Sequence, residues 1–186
     1  MGNVIRELLA SSGADVSDQE LVSVAPQGVE AAADWANLDT QETYVGYARA
    51  ERFASPAGAV WDERRLYSIP EQLQTNEWAL AGEWTVGREA AVLNDRHGQI
   101  SFRFHARDLN VVLGPSQRAT PVRFRVRVDG EPPGPAHGID TDEQGDGTVT
   151  GPRMYQLVRQ PGAVIDRTVE IELLDPGLDA YVFTFG

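Results

Sequence analysis

From about Thr43 onward the chain is written in short apolar runs broken by Gly, Pro, Asn and Asp, and that rhythm leaves little besides an all-β fold. The clearest run is 122–128, where Val122, Phe124, Val126 and Val128 alternate with Arg123, Arg125 and Arg127. A period of two puts the apolar set on one face of a strand and the arginines on the other. Ile100, Phe102 and Phe104 alternate with Ser101, Arg103 and His105 in the same way, and Tyr181, Phe183 and Phe185 do so at the end of the chain. Further strands are expected over 78–86, 89–93, 109–113, 153–159 and 168–174, with turns at Gly87, 94–98, Asp129-Gly130 and 175–177. About eight strands and few helices predict a two-sheet β-sandwich of jelly-roll type.

Two segments depart from this rhythm. Residues 1–40 read as a short helix over 4–14, with Val4, Ile5, Leu8 and Leu9 on one face, followed by a linker anchored by Trp35 and Leu38. The domain proper is therefore expected to span 41–186. Residues 131–147 form a Pro-, Gly- and Asp-rich loop, long enough to suggest a functional or mobile segment.

Charge narrows the partners. The net charge of −12 speaks against nucleic acid and anionic membrane surfaces. No run reaches the roughly 18 apolar residues that a spanning helix needs, so the chain is not expected to be membrane-embedded itself. The sequence contains no cysteine, which removes thiolate nucleophiles, thiolate metal sites and disulfides.

Four candidate sites remain, each with a plainer explanation beside it. Asp140, Asp142 and Asp146 lie at short spacings between glycines and offer hard oxygen ligands, so Ca2+ is the one cofactor the pattern admits. The alternative is a solvated acidic loop whose aspartates cap their own turns. Trp61 and Tyr67, in an irregular stretch with Arg64 and Arg65, could stack on a sugar ring or hold a partner protein, or could simply be core. Arg123 and Arg125, with Arg127, could grip carboxylates, or could be an outer face paired across the sheet with Glu170 and Glu172. Paired carboxylates for a hydrolase are compatible with the composition, although no nucleophile elbow or metal-ligand spacing accompanies them.

Several strings occur together in a telling order: Thr43-Tyr44-Val45-Gly46, Ser68-Ile69-Pro70, Leu80-Ala81-Gly82-Glu83-Trp84 and Phe104-His105-Ala106-Arg107-Asp108. Val126-Arg127-Val128-Asp129-Gly130, Gly138-Ile139-Asp140, 153–159 and the terminal 180–186 follow. From about Gln41 to the end, the chain resembles the C-terminal domain of DipZ-type cytochrome c biogenesis proteins. The resemblance implies a jelly-roll domain like galactose-binding and carbohydrate-binding modules, placed after a membrane-embedded region and an extracytoplasmic thioredoxin-like domain. The 4–14 helix would then be a remnant of that thioredoxin-like neighbour, and the location extracytoplasmic. It further implies a non-catalytic accessory role for a thiol–disulfide oxidoreductase, with a glycan or substrate protein as ligand. The alternatives are an interaction domain that docks on the thioredoxin-like unit and, from another class, a hydrolase. No catalytic residue carries over, because the family's Cys-x-x-Cys motif has no counterpart here.

Overall fold

The computed structural model describes residues 32–116 and 120–186, so the helix expected over 4–14 lies outside the described residues. Eleven strands follow in chain order: β1 (Thr43–Tyr44), β2 (Arg64–Tyr67), β3 (Trp78–Val86), β4 (Ala91–Leu93), β5 (Gly98–Phe104) and β6 (Asp108–Pro115). After them come β7 (Val122–Val128), β8 (Asp146–Val149), β9 (Arg153–Arg159), β10 (Arg167–Leu173) and β11 (Leu178–Phe185). All named pairings are antiparallel, in the order β8-β7-β10-β5-β3-β4-β11-β6-β9, with β1 added on β11 and β2 on β3.

One strand joins the two layers of this sandwich. Trp78–Ala81 of β3 pairs with β5, whereas Gly82–Thr85 pairs with β2 and Trp84–Val86 with β4. The switch falls at Gly82, whose φ of 90° is a conformation that only glycine adopts at little cost. A Cβ there would also press on the backbone of Gly98.

Alternation then fills the core as the sequence predicts. Val122, Phe124, Val126 and Val128 of β7, Val169, Ile171 and Leu173 of β10, and Ile100, Phe102 and Phe104 of β5 are buried. They face Leu109, Val111 and Leu113 of β6, Tyr155 and Leu157 of β9, and Ala180 and Phe183 of β11 in one apolar cluster. Aromatic contacts tie the layers together: the Phe102 ring centroid lies 5.1 Å from that of Phe183 and 5.3 Å from that of Phe185. Such pairs add about 0.5–1.5 kcal/mol each beyond area burial. The last strand is central, held between β6 on one side and β4 and β1 on the other.

The long 131–147 segment is a strap rather than a free loop. Gly138 N–H donates to Leu157 O, Asp140 N–H to Gln156 O, and the Thr141 hydroxyl to Leu157 O at 3.0 Å. A Cβ at Gly138 would overlap the Gln156 carbonyl, so the strap lies flat on β9 only because that residue is glycine. Its end becomes β8, which the composition concealed.

Candidate functional site

The sites expected from the sequence are distributed by the fold over separate places. On β7, Arg123 is bidentate with Asp175: Nε donates to Oδ2 at 2.8 Å and Nη2 to Oδ1 at 2.8 Å. Arg125 grips Asp146 through Nε at 2.7 Å, and Arg127 donates to the Gly130 carbonyl at 3.2 Å. The register does set Glu172 opposite Arg125 and Glu170 opposite Arg127, yet the ion pairs go to aspartates in the flanking turn and strand. Asp146 of β8 is itself the residue across the sheet from Arg125, on the side away from β10, and Asp175 follows the end of β10. The Arg123 guanidinium first, and then its backbone N–H, hold the Asp175 carboxyl down at about 2. These two arginines are thus committed within the fold.

The three aspartates offered for Ca2+ are also committed, each elsewhere. Asp140 accepts from Arg153 Nη2 at 2.7 Å and from Gln156 N–H at 2.8 Å. Asp142 caps its own turn, accepting from the N–H groups of Gln144 and Asp146 at 2.9 Å each. Asp146 pairs with Arg125, which keeps its carboxyl below the ordinary value. Among the described residues, no group of three or more His, Asp or Glu side chains is placed to hold a metal ion. The three carboxylates that the sequence offers for Ca2+ thus each point to a different partner in the described structure.

Trp61 and Tyr67 part company. Tyr67 is a core residue, 3% exposed, with its ring edge on Phe53 and its hydroxyl engaged with both the N–H and the carbonyl of Val60. Trp61 keeps 44% of its surface in solvent. Its ring lies 5.3 Å from Tyr47, whose hydroxyl donates to Asp62 Oδ2 at 2.9 Å. Of the expected linker anchors, Leu38 packs on the core, whereas Trp35 is 79% exposed.

Tyr47 leads to Arg49, Arg88, Glu89 and Tyr181, which sequence reading did not single out as a site. It sits in the turn 46–49, which is fastened to the turn 87–90: Tyr47 N–H donates to Gly87 O and Ala48 N–H to Arg88 O at 2.9 Å. Val45 N–H donates to Tyr181 O and fixes the same turn to β11. Gly46 allows this approach, because a Cβ there would overlap the Glu89–Ala90 backbone. The result is a cavity of about 520 Å3 lined by Tyr44, Arg49, Arg88, Glu89 and Tyr181. A second cavity of about 640 Å3 lies beyond the same wall and is lined by Glu42, Tyr44, Arg49, Glu51, Arg52 and Asn76 among others. The wall itself is Tyr44 with the Arg49 guanidinium 3.4 Å above its ring centroid. The Tyr44 hydroxyl donates to Glu42 at 2.8 Å, which raises its pKa.

A third groove, of about 590 Å3, runs over the outer face of β5 and β10 beneath the loop 69–75. Asp166 closes one end of it, binding His105 Nδ1 at 2.6 Å, the Thr75 hydroxyl at 2.8 Å and Arg103 at 3.4 Å. Those contacts, His105 first, lower its pKa. A general acid needs the opposite shift, so Asp166 stands in this groove as a carboxylate and not as a proton donor.

Comparison with known proteins adds the family context. Residues 40–186 match the model of a family described as the thioredoxin-like C-terminal domain. Two mycobacterial proteins, from Mycobacterium bovis and Mycobacterium tuberculosis and both named Protein DipZ, are each 28% identical to the chain over 149 residues. The match takes in 79% of this chain but only 18% of the length of each relative. Among the described residues, no helix is long and apolar enough to cross a membrane.

Proposed function

Because this chain belongs to the family of thioredoxin-like C-terminal domains, we propose that it is a non-catalytic recognition domain of the carbohydrate-binding-module kind. In this reading it is accessory to a thioredoxin-like thiol–disulfide oxidoreductase of DipZ type outside the cytoplasm, and it holds a glycan near that partner. Holding a ligand close raises its effective concentration without chemistry in the domain itself. A chain without cysteine has no thiol to contribute to the redox step.

The observation that carries this reading is a set of aromatic rings at one turn: Tyr44 and Tyr181 line the first cavity with Gly46 and Ala48, Tyr44 also lines the second, and Tyr47 of the same turn is in ring contact with the half-exposed Trp61. Sugar rings present flat C–H faces that stack on aromatic rings, with hydroxyls that need donors and acceptors at the rim. Glu42, Asn76 and Glu89 supply that rim on a rigid scaffold. Trp61→Ala is expected to weaken glycan binding about tenfold in calorimetry, with the fold intact by circular dichroism. An unchanged affinity, or no binding to any member of a glycan array, removes the proposal.

A second reading has its own observation. Trp35 lies exposed beside Leu38 and Phe185, along a cavity of about 600 Å3 at the end of the sandwich where the chain enters from residue 32. A partner unit, such as the thioredoxin-like domain, would cover that ring. Loss of docking in Trp35→Ala, with glycan binding retained, would favour it.

A further inference from the structure

The edge of a sheet carries backbone N–H and C=O groups with no strand beside them, and here the chain's own segments cover most such edges. The strap takes the edge of β9, through Gly138 N–H to Leu157 O and the bridge between His137 and Val158. Residues 52–55 close the free side of 78–80. Trp78 N–H donates to Arg52 O, Trp78 O accepts from Ala54 N–H, and the Ser55 hydroxyl serves both Leu80 N–H and Leu80 O. On β8, Asp142 takes the N–H and the carbonyl of Asp146, and on β1 a bridge joins Tyr44 to Ala50.

The edge at β2 is different. On β3, Glu83 O accepts from Asn94 N–H on the β4 side, whereas Val86 O accepts from Asp62 N–H on the β2 side. Backbone groups alternate in direction along a strand, so Trp84 and Gly82 point at β2 together with Val86. Their partners Arg65 and Tyr67 therefore bond to β3, and the N–H and C=O of Arg64 and Leu66 point away from the sheet. These four groups have no hydrogen-bond partner among the described residues, and 64–66 are all exposed. The Leu66 side chain beside them is 77% exposed, second only to Trp35 among the exposed large hydrophobics.

We infer that the β2 edge receives an extended segment of a partner polypeptide, which pairs with Arg64 and Leu66 as an added strand and lays an apolar side chain on Leu66. This goes beyond the glycan reading and does not depend on it. Alternating backbone donors and acceptors match another strand, whereas a sugar needs a concave pocket, and none of the cavities described above is lined by β2. A second copy of this chain is the poorer occupant. The antiparallel register that engages both outward residues of each copy, Arg64 with Leu66, sets Arg65 against its own counterpart, and like charges directly opposite repel. A partner strand with a neutral or acidic residue at that position has no such clash.

The probe is a seven-residue peptide of alternating valine and threonine with a central glutamate, offered to the whole chain beside a copy methylated at every backbone nitrogen. In the unaltered protein, saturating peptide is expected to slow amide hydrogen exchange at Arg64 and Leu66 about tenfold or more, and to leave Arg65 as it was. The methylated peptide, having lost its donors, should bind about tenfold more weakly or not at all in calorimetry. Leu66→Pro deletes an N–H that the fold does not use and should remove binding of the plain peptide, while Leu66→Ala keeps part of it. Equal affinity for both peptides, binding of neither, or slowed exchange confined to other strands overturns the proposal. Those readouts come from the unaltered protein and decide the matter even where Leu66→Pro does not fold. Dimers that form with rising concentration and vanish in Leu66→Ala would make a second copy the occupant and overturn the partner assignment.

Discussion

Along β7, Arg123 and Arg125 are each gripped by an aspartate, whereas Arg49 and Arg88, on the 46–49 and 87–90 turns, have none. The first pair stands in a regular row and looks like a binding surface in the sequence; the second is scattered and looks like nothing. Their local chemistry reverses that impression. A guanidinium already matched by a carboxylate has little left to offer a ligand, and its net worth to stability is small when exposed. An unmatched one contributes almost nothing to the fold and is available. Regular spacing marks a strand face; availability depends on which carboxylates the fold brings alongside.

The sharpest way to probe the committed class is at its most buried member. Asp108 is 3% exposed and serves both Arg107, at 2.7 Å, and Arg159, at 2.8 Å, while its backbone pairs with Gly186. Asp108→Ala leaves two half-buried guanidinium groups without an anion and should cost roughly 2–4 kcal/mol, read from the urea midpoint. A cost below about 1 kcal/mol would break the distinction, since even the buried hub would then be expendable.

The next effect concerns how the available arginines are assembled. Gly46→Val forces a side chain against the Glu89–Ala90 backbone and should cost roughly 1–3 kcal/mol as it pries the two turns apart. Glycan binding should fall with it even at temperatures where the sandwich is fully folded. Retained binding would mean that the Tyr44 wall needs no clip.

Smaller again is the acid response of the β7 row. The Asp175 carboxyl, held at about 2 by Arg123, has a folded pKa below its unfolded value of about 3.9. Its contribution is therefore fully present above that unfolded value and is lost as pH falls from about 4 through about 2. Carboxyl NMR should show the Asp175 midpoint near 2, and Arg123→Ala should return it toward 3.9. Because the pair is solvent-exposed, the same variant should leave the unfolding midpoint nearly unchanged at neutral pH. A midpoint already near 3.9 in the unaltered protein would sink the assignment of Arg123 to the committed class.

How much of this was legible in the sequence follows from the range of each interaction. Period-two alternation is local, so β5, β7 and β10 and their buried faces could be read directly. In β11 an irregularity between Ala180 and Val182 breaks the alternation, so Ala180 and Phe183 are buried while Tyr181 is not, and no local period shows that. β1, β2 and β8 are two to four residues long and carry no period; only pairing with β11, β3 and β7 defines them. Tyr67 and Trp61 lie six residues apart in the same irregular stretch, and nothing local separates the core ring from the exposed one. The Asp140, Asp142 and Asp146 spacing could be read, but the arginines that claim two of them arrive from β9 and β7. The wall between the two cavities depends on the approach of residues about 40 positions apart, signalled in the sequence only by the two glycines Gly46 and Gly87.

The last expectation is an absence of effect, and it bears most directly on the comparison. Arg49→Gln with Arg88→Gln removes two charges that no carboxylate answers, in exposed turns whose backbone hydrogen bonds do not involve either side chain. Surface substitutions of that kind change stability by about 0.5 kcal/mol or less. Arg49 also gives up its contact over the Tyr44 ring, about 0.5–1 kcal/mol at an exposed site, which sets the upper bound. Thermal unfolding of this double variant should therefore nearly superimpose on that of the parent, while Arg107→Gln with Arg159→Gln unfolds well below both. If the first pair instead proves as costly as the second, Arg49 and Arg88 hold the fold together as Arg107 and Arg159 do, and the contrast between matched and unmatched arginines fails.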